Sequence, residues 1–87
     1  MYRAEITVTL RPAILDVQGK TVENALHALG HDDVAHVRIG KHITLDVDAP
    51  DATAAEETAR RVSEQLLSNP VIEDFAVRVI ELSKGEE

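Results

Sequence analysis

The stretch LDVQGKT, Leu15 to Thr21, ends in Gly19, Lys20 and Thr21, the three residue types that also close a phosphate-gripping loop. Such a loop needs another glycine five residues before Gly19, and that place is Ile14. It also follows a buried strand of a parallel sheet, whereas Thr7, Thr9 and Arg11 give the preceding segment a wet face. Nucleotide hydrolysis is not expected here. Free amides and a lysine at a helix start could still hold a carboxylate or a phosphate, and the plainer reading is that Gly19 eases a turn while Lys20 stays solvated. His27 and His31 have the i, i+4 spacing of helical metal ligands, but Gly30 falls between them, and neither has a third ligand at metal-like spacing. His36 and His42 flank Gly40. Asp32-Asp33 and Glu56-Glu57 read as solvated pairs, and Ser63, Ser68 and Ser83 lack a surrounding nucleophile motif. Nothing assembles an acid, a base and a nucleophile. No catalytic residue and no metal site are expected.

Composition narrows the choice of partner. Nine basic against sixteen acidic side chains give a net charge of −7, the wrong sign for neutralising nucleic-acid phosphates or an anionic membrane surface. The absence of cysteine fits a reducing compartment, and MYRAEITVTL alternates too strictly for a signal peptide or a spanning helix. A soluble, cytoplasmic domain is expected. Its 87 residues make one domain that hides roughly 60–65% of the surface its unfolded chain exposes. With two aromatic side chains, that core is thin, and association with further copies is expected to stabilise it.

The elements that must position these residues follow from period. Tyr2, Ala4, Ile6, Val8 and Leu10 alternate with Arg3, Glu5, Thr7, Thr9 and Arg11, the pattern of a half-buried strand, which Pro12 ends. A helix is predicted over roughly Gly19–Leu29, with Val22, Ala25, Leu26 and Leu29 as its apolar stripe, Asp16 or a neighbour as its cap, and Gly30 as its left-handed exit. Val37, Ile39, Ile43, Leu45 and Val47 then mark a strand region longer than the first. Gly40-Lys41 could split it by a tight turn, giving a ferredoxin-like βαββαβ domain, or the strand could run through with a kink and pair its far half with another chain. Asp51 caps a second helix with Ala55, Ala59, Val62 and Leu66 inside and Glu56–Arg60 and Glu57–Arg61 as outer pairs; Asn69 and Pro70 stop it. Glu73–Glu81 is the last strand, and residues 83–87 a loose tail after a single domain over 1–82. The expected class is α+β: two helices packed on an antiparallel sheet, order β-α-β-α-β, in a strand-sharing homo-oligomer.

Two features call for more than packing. Lys41 is in phase with the apolar set, so either Gly40 turns it outward or a carboxylate meets it, because an unpaired buried ammonium is costly. Val71 and Ile72 follow a helix-ending proline, where loops are usually polar, and would suit contact with another chain.

Three blocks, VTLRPAILDVQGKTVENAL, ALGHDDVAHVRIGKHITLDV and LLSNPVIEDF, in this order resemble the PurS family, the small subunit of the multi-chain bacterial and archaeal phosphoribosylformylglycinamidine synthase. The likeness runs from Tyr2 to about Val79, and Arg11 and Val17 stand where that family commonly has lysine and proline. The resemblance implies a job that composition does not show. The family's complex makes formylglycinamidine ribonucleotide from formylglycinamide ribonucleotide, ATP and glutamine in purine biosynthesis. A glutaminase subunit releases ammonia, a large synthetase subunit uses ATP and Mg, and PurS serves assembly as dimers or tetramers without a catalytic residue or bound cofactor of its own. Gly19, Lys20, Arg38, Lys41 and the turn Asn69, Pro70, Val71, Ile72, Glu73 are the expected contact residues. The competing expectation is an ACT-like regulatory domain that binds an amino acid or nucleotide between subunits.

Overall fold

The computed structural model describes residues 1–82; the expected tail at 83–87 lies outside them. The chain runs β1 (Tyr2–Leu10), α1 (Val17–Ala28), β2 (Gly40–Val47), α2 (Ala52–Val62), a single π-helical turn (Ser63–Leu67) and β3 (Glu73–Glu81). The three strands form one antiparallel sheet in the order β2-β1-β3. This is the expected α+β class in β-α-β-α-β order.

Period-two alternation fixes which face is dry. On central β1, Ala4 lies between Leu45 and Val79, Ile6 between Ile43 and Val77, and Val8 between Lys41 and Phe75. Ala4, Ile6 and Val8 are at most 1% exposed. Burying a side chain such as Ile6 is worth about 1.5–3 kcal/mol. α2 lies over this face through Ala55 and Ala59, both fully buried, and residues this small let the helix approach the sheet closely. Asp51 caps α2 by accepting from the amide of Ala54 at 2.8 Å. The opposite face is wet and carries the cross-strand pairs Arg3–Asp46 at 3.0 Å and Arg78–Glu5 at 3.5 Å. Of the two predicted pairs on α2, Glu56–Arg60 forms at 2.9 Å; no bond joins Glu57 to Arg61 among the described residues.

The predicted stripe of α2 needs a correction at its end. Leu66, expected inside, is 82% exposed, while Leu67 packs against the core. The π-turn is the reason: its i→i+5 bonds take in an extra residue and shift the helical phase by one. The amide and hydroxyl of Ser68 both donate to the Ser63 carbonyl at 2.9 Å, and the Ser63 hydroxyl donates to the Ala59 carbonyl at 2.7 Å. Ala55, Ala59 and Ser63 are therefore buried, Val62 and Leu67 half-buried, and Leu66 lies outside.

The second strand is also shorter than its alternation suggests. It begins at Gly40 and has eight residues against nine in β1. Gly40 is neither a hairpin nor a mid-strand kink. Residues 34–39 lie outside the sheet because the amides of Val37 and Ile39 bond instead to carboxylates at the start of α1 and within it. His36, in this segment, has φ 57°, a left-handed conformation that non-glycine residues seldom adopt. Lys41 keeps phase and faces Val8 on the α2 side. No carboxylate among the described residues pairs with it; its side chain is exposed, and Nζ donates to the Leu67 carbonyl at 3.4 Å, at the negative end of the helix.

α1 has the expected cap at Asp16, and Gly30 leaves it with φ 97°. It has no extensive contact with the strands or α2 among the described residues. Its stripe is open: Val22 and Leu29 are exposed, and Leu26 is half-buried. The molecule is accordingly long and thin, 49 × 32 × 15 Å. Its radius of gyration is 16.5 Å, against about 12 Å for a compact chain of this length.

Candidate functional site

The predicted contact residues converge on one end of the sheet, where β1 stops. Pro12 cannot extend the ladder, so the chain leaves the sheet at Arg11, and the strap of residues 34–39 comes back past the same place. Arg38 Nη2 donates to the carbonyls of Arg11 at 3.1 Å and Ile14 at 3.0 Å. From its other side, Arg11 reaches the Asn69–Glu73 turn. Its amide donates to the Ile72 carbonyl at 2.9 Å, its guanidinium to the Pro70 carbonyl, and its Nε lies 3.6 Å from Asp74 Oδ1.

Asp16 is the second junction. Its Oδ1 accepts from the Gly19 amide at 2.8 Å and its Oδ2 from the Ile39 amide at 2.6 Å. Those bonds, first Gly19 and then Ile39, hold its carboxyl below the ordinary value, and the nearby Arg38 charge adds to them against the opposing effect of burial. Glu23, one helical turn past Gly19, accepts from the Val37 amide at 3.1 Å. That bond, with Lys20 at 3.5 Å, lowers its carboxyl as well.

Gly19 answers the question its motif raises. A Cβ there would run into the Val37 carbonyl oxygen, so glycine is needed for the strap to cross the helix start. Its amide is spent on Asp16, which leaves no anion hole of the phosphate-loop kind. Lys20 is exposed and pairs with Glu23. His27 Nε2 lies 2.8 Å from the Val34 carbonyl, a further tie between α1 and the strap.

The Asn69–Glu73 turn closes on itself. Asn69 Oδ1 accepts from the Val71 amide at 3.1 Å, Glu73 Oε1 from the Asn69 amide at 2.6 Å, and the Asn69 carbonyl from the amides of Ile72 and Glu73 at 3.1 and 2.7 Å. Held by these bonds and by Arg11, the turn keeps Val71 outward at 77% exposure, while Ile72 is half-buried. A cleft of about 630 Å³ lies between the strap and the end of β1, with Lys20, Arg38, Leu15 and Asp74 on its walls. Lys41 and Glu73 line a neighbouring one of about 250 Å³. The geometry suits holding one protein surface against another.

Residues 3–81 match the family described as PurS, phosphoribosylformylglycinamidine (FGAM) synthase. The chain belongs to the PurS family. A PurS subunit of phosphoribosylformylglycinamidine synthase from Synechocystis is 43% identical over 81 residues, covering 93% of this chain and 81% of that one. The Bacillus subtilis subunit is 37% identical, covering 94% of this chain and 96% of its own length. Among solved structures, Methanocaldococcus jannaschii PurS superposes with a TM-score of 0.86 at 29% identity, over 95% of this chain and all of that one. A chain from the structure of PurLQS from Thermotoga maritima superposes with a TM-score of 0.84 at 34% identity, over 91% of this chain and 96% of that one.

The three PurS-like blocks are thus one junction in space. Arg11 and Asp16 come from the first, Arg38 and Ile39 from the second, and Pro70 and Ile72 from the third. Sequence reasoning named Gly19, Lys20, Arg38, Lys41 and the turn as contact candidates, and missed Arg11 as the residue that ties the strap to the turn. It took Asp16 for a helix cap alone and did not single out Glu23. An available signal was the isolated Arg-Pro at the end of a regular strand, a charged residue placed where the ladder has to stop.

Proposed function

We propose that this chain is the non-catalytic PurS subunit of phosphoribosylformylglycinamidine synthase, and that it joins the synthetase and glutaminase subunits so that ammonia passes between them. The observation that carries this reading is the family match over residues 3–81, together with a fold shared with a chain of the PurLQS structure. The junction supports it, since it presents exposed apolar residues at Leu15, Val17 and Val71 beside its bonded polar groups. The chain binds no cofactor of its own in this reading, and ATP and Mg belong to the large subunit. It works in the cytoplasm as a strand-sharing dimer or tetramer, in keeping with its thin shape, its open α1 stripe and the absence, among the described residues, of a helix long and apolar enough to cross a membrane. Gly19, Lys20, Arg38, Lys41 and Asn69–Glu73 build or border the contact surface.

The ACT-like alternative has no specific observation in its favour, because the amide of Gly19 at the start of α1 is already bonded within the chain. The test is reconstitution with both larger subunits. Glutamine-dependent synthesis is expected to need this chain, and ammonia-dependent synthesis to survive its omission. Equal glutamine-dependent rates with and without it would overturn the proposal. Saturable micromolar binding of an amino acid or purine nucleotide by the lone protein would favour the sensor.

A further inference from the structure

We propose that Ser68 positions the Asn69–Glu73 contact turn, its hydroxyl holding the end of α2 in the π form from which that turn departs. The last carbonyls of a helix have no partner within it and take the donors that the following residues offer. Here the Ser63 carbonyl accepts twice from one residue, from the amide and from the hydroxyl of Ser68, each at 2.9 Å. An α-helical ending would give that carbonyl the amide of Leu67 instead. The two endings compete for one acceptor, and the Ser68 hydroxyl adds its bond to the π side of the balance.

The choice matters because the turn follows Ser68 at once. Its backbone is extended, with φ −125° and ψ 159°, so the chain leaves the helix at this residue. Asn69 then opens the loop that the Glu73 carboxylate closes. A change of one residue in helical phase is a rotation of about 100° about the helix axis. At this end of α2 it would redirect the exit into the turn and take Leu67 from its place against the core. Single π-turns inside α-helices recur at functional sites, and this one stands directly before a contact turn. Ser63 is 0% and Ser68 8% exposed. The deciding bonds therefore lie inside one chain, and further copies of it can only cover them more deeply. The inference rests on the adaptor reading for what the turn meets, and not for what holds it.

The test joins a bond measurement on the full chain to titration of the reconstituted synthase. Scalar coupling across hydrogen bonds identifies the amide bound to the Ser63 carbonyl. In the parent it is expected to be that of Ser68; coupling from Leu67 instead would overturn the proposal. In Ser68→Ala the coupling is expected to be shared between the amides of residues 67 and 68. One neutral hydrogen bond shifts such a balance by up to about tenfold, and apparent affinity falls with the fraction of the competent form. The variant is therefore expected to raise, by about fivefold, the concentration of chain that half-saturates glutamine-dependent synthesis, with the saturated rate unchanged. Ser68→Thr keeps the hydroxyl and suits an extended backbone, and is expected to restore both readouts. Ser63→Ala loses another buried hydroxyl bond, the one to the Ala59 carbonyl, but leaves the Ser63 carbonyl in place. It is expected to lower stability without moving the half-saturating concentration. An equal rise in Ser63→Ala and Ser68→Ala, or parent-like coupling in Ser68→Ala, would overturn the positioning role. If Ser68→Ala does not fold, Ser68→Cys, a weaker donor of similar shape, is expected to move both readouts in the same direction, and parent-like behaviour would overturn the role. Glutamine-dependent synthesis that needs no chain at all would overturn the adaptor reading, while the coupling pattern still decides what Ser68 holds.

Discussion

Arg38 donates to the backbone carbonyl of Arg11 at 3.1 Å, while the guanidinium of Arg11 itself turns to the Pro70 carbonyl at the end of β1. Arg38 secures the strap, and the side chain of Arg11 secures the Asn69–Glu73 turn through Pro70. The two roles are separable because one uses a carbonyl and the other a guanidinium. Arg11→Ala is expected to cost about 1–2 kcal/mol in urea unfolding and to loosen the turn while leaving the bonds of Arg38 in place. Amide shifts confined to residues 69–74 would fit that expectation; shifts centred on residues 37–39 would contradict it.

Gly19→Ala separates helix propensity from tertiary fit. Propensity alone favours alanine in a helix by up to about 1 kcal/mol. The Val37 carbonyl occupies the space a Cβ would need, so the variant is expected to be less stable by about 1–3 kcal/mol. Urea midpoints give the sign directly, and a gain in stability would contradict the observed crossing of the strap.

The π-turn reverses the expected ranking of two leucines. Leu66→Ala is expected to change stability by less than about 0.5 kcal/mol, since Leu66 is 82% exposed. Leu67→Ala, which removes contact with the core, is expected to cost about 1–3 kcal/mol. An uninterrupted α-helix would give the opposite order, and thermal unfolding of the two variants distinguishes them.

Acid is expected to loosen the strap of residues 34–39. The carboxyls of Asp16 and Glu23 lie below their ordinary values of 3.8 and 4.5, chiefly because backbone amides bond to the charged forms. Arg38 faces Asp16 and Lys20 faces Glu23, both favouring ionisation, and His36 lies beside them in the strap. The unfolded chain therefore binds more protons than the folded one in this range. Stability from these groups is complete above the ordinary values and is lost as pH falls through the lowered ones. Exchange or chemical shifts of Val37 and Ile39, followed from pH 6 downward, should report release only below the ordinary carboxylate range. Release near neutral pH would contradict this.

Val71 tests the contact surface without disturbing the fold. At 77% exposure on a turn closed by its own bonds, Val71→Asp is expected to leave thermal stability within about 0.5 kcal/mol. In the reconstituted complex it should lower glutamine-dependent activity and spare ammonia-dependent activity. An unchanged glutamine-dependent rate would remove Val71 from the contact residues.

Much of the fold was legible in residue order. The β1 alternation, the Asp16 and Asp51 caps, the exit at Gly30 and the bounds of β3 are local signals, and each element formed where they pointed. A cap needs a side-chain oxygen near three or four amides, and a half-buried strand needs a period of two. Both conditions are met within a few residues of chain. Of the contact candidates, Lys41, Val71 and Ile72 stood out as residues whose type did not suit their place, and the others came from the family resemblance.

Tertiary structure alone decided what depends on a distant partner. That β2 starts at Gly40, although Val37 and Ile39 keep its alternation, follows from carboxylates fourteen and twenty-three positions away taking those amides. That Leu67 rather than Leu66 reaches the core follows from the Ser63 carbonyl accepting from Ser68, a one-residue phase change that helical periodicity cannot signal. That α1 has its apolar stripe in solvent is a matter of where the strap anchors it. Local chemistry selects the elements; bonds between residues far apart in the chain determine which faces of them remain open.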